Sequence, residues 1–361
     1  MLPFASPLEP MLAQAQDEIP AGEGWLYEPK WDGFRAIVFR EGERVHLCSR
    51  NGQPLERYFP EVVEGLKKAL PQEAIVDGEI IIAGARGLDF EALSNRIHPA
   101  ASRVQKLSKE TPAGFVAFDC LALGDTDLRG LGPLARREKL IANFQGHDGF
   151  FVTPQTMSLE TAKQWFHEFE GAGCDGVIAR RSTLDYRPGE RVMVKIKHGR
   201  TADVVVVAYR EGKTPGTVGS LLLGVYDEQG DLLHIGHTSS FTAKEKKALR
   251  EKLKPLEEGV PVFPGKPEGS PSRWSKGQEK AAPVPLKPIL VCEVRYDYLQ
   301  GQRFRHASTF QRWRDDRDPK SCLFSQLLPP NPFSLAKIVA LSPTKAPGGD
   351  GDGRRNGVAA T

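Results

Sequence analysis

The residues Tyr27-Glu28-Pro29-Lys30-Trp31-Asp32-Gly33-Phe34-Arg35 set one lysine between two short apolar runs. The pattern predicts a short strand, a tight turn at Asp32-Gly33 and an apolar strand over 34–39 that returns beside the first. A lysine at the mouth of such a hairpin is held by backbone. If it is also desolvated and flanked by cations, its pKa falls below the ordinary value of about 10.4 and the free amine becomes a nucleophile. Taken alone, K-x-D-G is better read as a surface lysine beside a turn. What changes that reading lies further along the chain.

Downstream, 44–49 alternates as a strand and ends in Ser49-Arg50-Asn51-Gly52, a turn signal that places Arg50 at a strand end. A helix is expected over 59–70, with Pro60 in its first turn and Lys67 and Lys68 in its last. The stretch 74–83 reads as a strand interrupted by Asp77-Gly78-Glu79, and 115–123 as a buried strand that contains Asp119. A carboxylate in an apolar strand is costly unless it is paired or meets a ligand. Helices are expected over 90–98, 134–144 and 159–171. A strand opens at Cys174-Asp175, and another over 192–197 carries Lys195 and Lys197 on one face. Two ammonium groups side by side require open solvent or an anion. Gly171-Ala-Gly-Cys-Asp-Gly176 spells G-x-G-x-x-G, but here the helix precedes and the strand follows, the reverse of the dinucleotide motif.

Residues 1–24 read as an irregular Pro-rich lead-in. From Thr201 the texture changes to short strands over 204–209, 220–226, 232–237 and 289–298, with one helix over 243–253. That succession predicts a small all-β barrel of the OB kind. The expected division is therefore 1–200, 201–328 and a disordered, Pro/Gly-rich tail over 329–361. The five cysteines lie far apart with no C-x-x-C pair, which excludes a thiolate zinc site and points to a reducing cytoplasm. No secretory signal is visible, and no apolar run approaches the ~20 residues that span a bilayer. A net charge of +3 leaves any nucleic-acid surface to be local.

Lys30, Arg35, Arg50, Glu79, Asp119, Asp175, Lys195 and Lys197 all interrupt apolar strands or sit at their ends. Converging cations with a few carboxylates suit a triphosphate and its divalent metal. The ordered set Lys30-Trp-Asp-Gly-Phe-Arg35, Ser49-Arg-Asn-Gly52, Asp77-Gly-Glu79, Phe118-Asp-Cys-Leu121, Asp175-Gly-Val-Ile-Ala179 and Val194-Lys-Ile-Lys197 resembles the covalent nucleotidyltransferase superfamily of ATP-dependent DNA ligases. Arg303-Phe-Arg-His306 with Phe310-Gln-Arg-Trp-Arg-Asp-Asp-Arg317 resembles its last motif, and the match runs over about 9–328. Compact bacterial ligases of the ligase C type are most similar, with the ligase domain of ligase D next.

The resemblance implies an α+β fold: an ATP-grasp-like nucleotidyltransferase domain of antiparallel sheets and helices, followed by the OB-fold barrel. It implies Lys30 as the nucleophile that becomes linked to AMP, with Lys195 and Lys197 offsetting charge on the α-phosphate. Glu28 meets adenine, Phe118 stacks on it, Glu79 binds ribose, and Arg35 and Arg50 grip phosphate. Asp175, together with Glu79, holds Mg²⁺ or Mn²⁺; many relatives have Glu in place of Asp175. Arg314, Asp316 and Arg317 belong to an element that orients pyrophosphate in the first step, with Arg317 where lysine is common. The implied substrates are ATP and nicked duplex DNA, handled by a cytoplasmic monomer that clamps DNA without a separate N-terminal DNA-binding domain and works beside repair proteins. RNA ligation or GTP-dependent capping chemistry shares the lysine intermediate and stays open at this point, as does a catalytically silent clamp on DNA ends.

Overall fold

The computed structural model describes residues 1–85, 87–258, 282–328 and 332–343. The chain divides into two compact units, Met1–Lys197 with Pro330–Thr361, and His198–Pro329. In the first unit the main strands are β1 (Leu12–Gln16), β2 (Trp25–Pro29), β3 (Phe34–Glu41), β4 (Arg44–Ser49), β5 (Glu73–Ile81), β6 (Gly114–Leu123), β7 (Phe150–Val152), β8 (Gly176–Arg181) and β9 (Arg191–Lys197). Its helices are α1 (Pro60–Ala69), α2 (Phe90–Asn95), α3 (Ala101–Glu110), α4 (Pro133–Asn143) and α5 (Leu159–Glu168). Local chemistry sets several of their starts. Pro60 and Pro133 open α1 and α4, while the Asp89 and Ser158 side chains accept from Ala92 N and Thr161 N to cap α2 and α5.

One sheet runs β1-β9-β8-β2 and the other β7-β6-β5-β3-β4. They pack face to face over Met11, Ile37, Ile75, Leu121, Tyr186 and Met193. The outer face of the second sheet is covered by α1 and α4 through Val62, Leu66 and Leu140, and that of the first by α5 through Ala162. The result is a layered unit of two sheets flanked by helices.

This topology corrects the expected hairpin. β2 pairs with β8, whereas β3 pairs with β4 and β5 in the other sheet. Residues 30–33 are thus a crossover between sheets, which puts Lys30 in the gap between them. Gly33 is required there by space: a Cβ would lie 2.2 Å from Ile80 O. The lead-in also holds a strand, because β1 adds to the first sheet parallel to β9. Helix α3 escaped the sequence reading altogether.

The second unit contains β10 (Arg200–Glu211), β11 (Val218–Tyr226), β12 (Leu232–Thr238), α6 (Ala243–Leu253), β13 (Val284–Tyr296) and β14 (Thr309–Trp313). Its sheet order is β12-β11-β10-β13-β14, and Ser308 N donates to His237 O, so the two edges meet and the sheet closes on itself. Thr242 and Glu245 form a reciprocal capping box at the start of α6.

The expected disordered tail needs correction for 332–343. Helix α7 (Leu335–Val339) packs on the first unit, with Ile338 fully buried beside Trp31, Phe169 and Cys174, and Phe333 5.3 Å from the Phe169 ring. Three apolar side chains at helical spacing were enough to anchor a segment whose composition reads as disordered. Residues 344–361 lie outside the described part.

Candidate active site

Lys30 follows β2 directly. Its backbone exchanges hydrogen bonds with β8, Lys30 N donating to Gly176 O (2.9 Å) and Asp175 N to Lys30 O (2.8 Å). The antiparallel register places Gly176 opposite Lys197 and Ile178 opposite both Lys195 and Glu28. Cross-strand partners share a face, so Glu28, Ile178 and Lys195 form one row on a single face of the sheet. Asp175 stands between two cations: its Oδ2 is 2.8 Å from Lys30 Nζ and 3.0 Å from Lys197 Nζ.

That carboxylate decides the charge states. Burial works to lower the Lys30 pKa, but Asp175, with Asp32 and Glu79 behind it, outweighs burial and holds the ammonium above its ordinary value. The expectation of a depressed Lys30 is therefore corrected. The depressed lysine is Lys195, through burial and then the Lys197 and Lys30 charges. Burial also pushes Asp175 up, yet Lys30 and Lys197 bring it below the usual carboxylate range. Glu79, opposite Arg35 on β3, is driven by burial up to about 7 and accepts from Gly33 N at 3.2 Å.

Arg35 is already engaged. Its Nε and Nη2 donate to Asp77 (3.0 and 2.6 Å) and its Nη1 to Met11 O (2.7 Å), so it ties β3 to β5 and to the residue before β1. Its guanidinium lies 5.2 Å from the Phe118 ring centroid, with Phe118 at an irregularity of β6 where its side chain stays part-exposed. Arg50 is exposed in the turn after β4, close enough for its charge to act on Lys195.

Glu28 belongs to a buried ion network that the sequence reading missed. Its Oε1 accepts from Gln155 Nε2 (2.6 Å) and Arg180 Nη2 (2.7 Å). Arg180 Nη1 also donates to Asp119 Oδ2 (2.7 Å), and Arg136 grips both Asp119 oxygens (2.7 and 2.9 Å). Asp119 thus pairs with arginines, and burial notwithstanding, Arg180 and Arg136 hold its pKa down. The available signal was Arg180 itself, a charge inside the apolar run of β8.

Arg314 and Arg317 belong to the second unit, where Arg314 lies between Asp203 and Asp316. Among the described residues no group of three His, Cys, Asp or Glu side chains could hold a metal ion by itself. No helix among them is long and apolar enough to cross a membrane.

Residues 10–197 match the ATP dependent DNA ligase domain family, and residues 214–317 the ATP dependent DNA ligase C terminal region. The chain belongs to the ATP-dependent DNA ligase family. It is 48% identical over 358 residues to DNA ligase C of Mycobacterium tuberculosis (strain ATCC 25618 / H37Rv), covering 94% of this chain and 98% of that protein. It is 30% identical over 300 residues to the multifunctional non-homologous end joining DNA repair protein LigD of the same strain, covering 82% of this chain and 37% of that much longer protein. Among solved structures, Pmar-Lig_PreS3 superposes with a TM-score of 0.54 at 18% identity, over 86% of this chain and 69% of that one, a likeness of fold. The protein is a DNA ligase that uses ATP, and its substrate is nicked DNA. The α+β nucleotidyltransferase unit followed by a small β domain agrees with the fold the sequence implied.

Proposed function

We propose that this ligase works through a covalent lysyl-AMP on Lys30. The observation that carries this reading is the placement of Lys30 Nζ in the inter-sheet gap, on an acid it shares with Lys197. Lys30 Nζ, once deprotonated, attacks the α-phosphorus of ATP; an N–P bond forms, the bond to the bridging oxygen breaks and pyrophosphate leaves. AMP then passes to the 5′-phosphate at the nick, freeing the lysine. The 3′-hydroxyl attacks that phosphorus, forms the phosphodiester and expels AMP.

The row Glu28–Ile178–Lys195 and the side chain of Phe118 offer a face for the base, with the Glu28 carboxylate held still by Arg180 and Gln155. Lys195 and Lys197 lie where negative charge builds on the α-phosphate, and fixed cations in a partly dry cleft stabilise such charge strongly. Glu79 serves the ribose. Arg50 is the exposed phosphate-gripping cation, with Arg35 chiefly bracing Asp77.

The donor set fits Mg²⁺ or Mn²⁺, because such ions are held by one or two carboxylates plus substrate phosphates, and Asp175 with Glu79 supplies those. Asp175 and Glu79 would hold such an ion, which would supply positive charge to offset that of the phosphates; the Asp175 carboxylate that would do so is the one now 2.8 Å from Lys30 Nζ. Action as a monomer, in excision or gap repair, completes this reading.

The test is incubation with α-labelled ATP or GTP and Mg²⁺, followed by a denaturing gel, for wild type and Lys30→Ala. Label from ATP alone, lost in the variant, is expected, with release into sealed product on adding nicked DNA. Label from GTP moves the protein to capping chemistry. No label from either, after a pyrophosphate wash to remove bound AMP, refutes the lysyl-AMP mechanism.

A further inference from the structure

The second unit carries two acids directly opposite each other. Asp203 on β10 pairs in register with Glu293 on β13, which in turn faces Arg312 on β14. Like charges directly opposite destabilise a sheet, so their presence asks for an explanation. Glu293 is matched by Arg312 Nε at 2.6 Å. Asp203 is matched by two arginines from the segment after β14. Arg314 Nη1 donates to both Asp203 oxygens (2.9 and 3.0 Å), and Arg317 Nε lies 3.2 Å from Oδ2. Gln326 fixes the same acid from behind, exchanging hydrogen bonds with the Asp203 backbone at 3.0 Å each way.

The two arginines are not equivalent. Arg314 spends Nε and Nη2 on Asp316 (2.9 and 2.8 Å) and Nη1 on Asp203, so its planar fork is filled by two carboxylates. Its hydrogen bonds hold Asp316 down to about 2. A guanidinium so enclosed, 17% exposed, has little left for a phosphate. Arg317 touches Asp203 through Nε and is 40% exposed. The turn carrying both is closed by Arg317 N donating to Arg314 O (3.1 Å) and anchored to β13 by Arg314 N donating to Val291 O (2.9 Å).

We propose that Asp203 is a positioning residue for the first step: it locks Arg314 as a strut and thereby aims Arg317 at the departing pyrophosphate. This rests on the reading of 303–317 as the pyrophosphate-side element. Arg317 is then held in one orientation in advance, and fixed dipoles and charges that need no reorganisation are the effective ones. The expected division between an interior strut and an exposed ligand differs from the sequence reading, in which both arginines met phosphate.

The experiment compares two single-turnover rates for wild type, Asp203→Asn and Arg317→Ala: lysyl-AMP formation from ATP, and sealing of a chemically pre-adenylated nick. For Asp203→Asn the ratio of the first rate to the second is expected to fall by about tenfold or more, since small misplacement of a reacting group costs on that order. The KM for pyrophosphate in the reverse reaction, discharge of lysyl-AMP, is expected to rise by a similar factor. Equal loss in both rates means a merely structural role, and a faster first step means the arginines are parked rather than aimed; either overturns the proposal. If Arg317→Ala leaves the first step intact, the underlying assignment of this element fails, whatever Asp203 does. Should Asp203→Asn not fold, Asp203→Glu is read in the same assays, where its charge is one methylene displaced. A wild-type ratio and pyrophosphate KM in that folded variant would likewise sink the idea.

Discussion

Replacing Asp119 by Ala removes the acid on which two buried guanidiniums converge. Asp119, Arg136 and Arg180 are each at most 3% exposed, so neither arginine can turn to water when the carboxylate goes. Breaking a buried pair by deleting one partner costs about 3–5 kcal/mol, because the remaining charge stays desolvated. For a unit of this size each kcal/mol moves the melting midpoint by about 2–4 °C, so a fall of roughly 6–20 °C is expected in the transition of the first unit. The pH dependence has a definite sign. Asp119 is held below its unfolded value, so its contribution is complete above about pH 3.9 and fades as pH falls through the lower folded value. The gap between wild type and Asp119→Ala should therefore be full at pH 7 and shrink in acid. Arg180 also holds Glu28, so the KM for ATP should rise in the folded fraction at permissive temperature. Calorimetry at pH 7, with urea melts as a cross-check, measures the first effect. A loss under about 1 kcal/mol at pH 7, the scale of an exposed ion pair, would refute the claim that this network is dry and tightly coupled.

Ile338→Ala should cost about 2–5 kcal/mol in the first unit, the range for emptying a fully buried aliphatic site, and thermal melting would register it. A change near zero would mean that α7 is not seated as described. Gly33→Ala forces a methyl against Ile80 O and Glu79 Cγ, so roughly 1–3 kcal/mol of stability and about 100-fold in lysyl-AMP formation should go together, read by melting and by label transfer. Glu79 is raised to about 7, so its contribution is present below its unfolded value and lost as pH rises through about 7. Glu79→Gln should accordingly gain on wild type in melting midpoint between pH 5 and pH 8 without nucleotide; an unchanged difference counts against the raised carboxyl.

Much of the fold was legible because hydrophobic period and turn chemistry are local. The sequence reading expects a helix over 243–253, and the structure keeps those limits, with a Thr242–Glu245 capping box at its start. Long-range pairing is a different matter. Asp32-Gly33 announces a change of direction, but nothing within nine residues says whether the next strand returns to its neighbour or crosses to another sheet. The partners that settle it, β8 for β2 and β5 for β3, lie about 150 and about 40 residues away. For β1 the obstacle was composition: five residues at a sheet edge, with burial on only part of their length, leave little pattern among prolines.

The candidate site divides along the same line. Charged residues inside apolar strands are conspicuous, so Lys30, Glu79, Asp175, Lys195 and Lys197 could be singled out one by one. Their mutual effect could not, because electrostatic sign depends on which neighbour is nearest. Counting lysines leads to a depressed Lys30, yet the β8 register sets Asp175 at 2.8 Å from it and 3.0 Å from Lys197, while Lys195 stands one pair further along. At such distances one carboxylate outweighs the more distant cations. Lys30 is thereby kept charged until something else takes the acid, and on the proposed mechanism a triphosphate with a divalent ion would bring a competitor for it. An amine masked in this way is poorly reactive toward chance electrophiles and, on that mechanism, would be released only by the substrate it attacks.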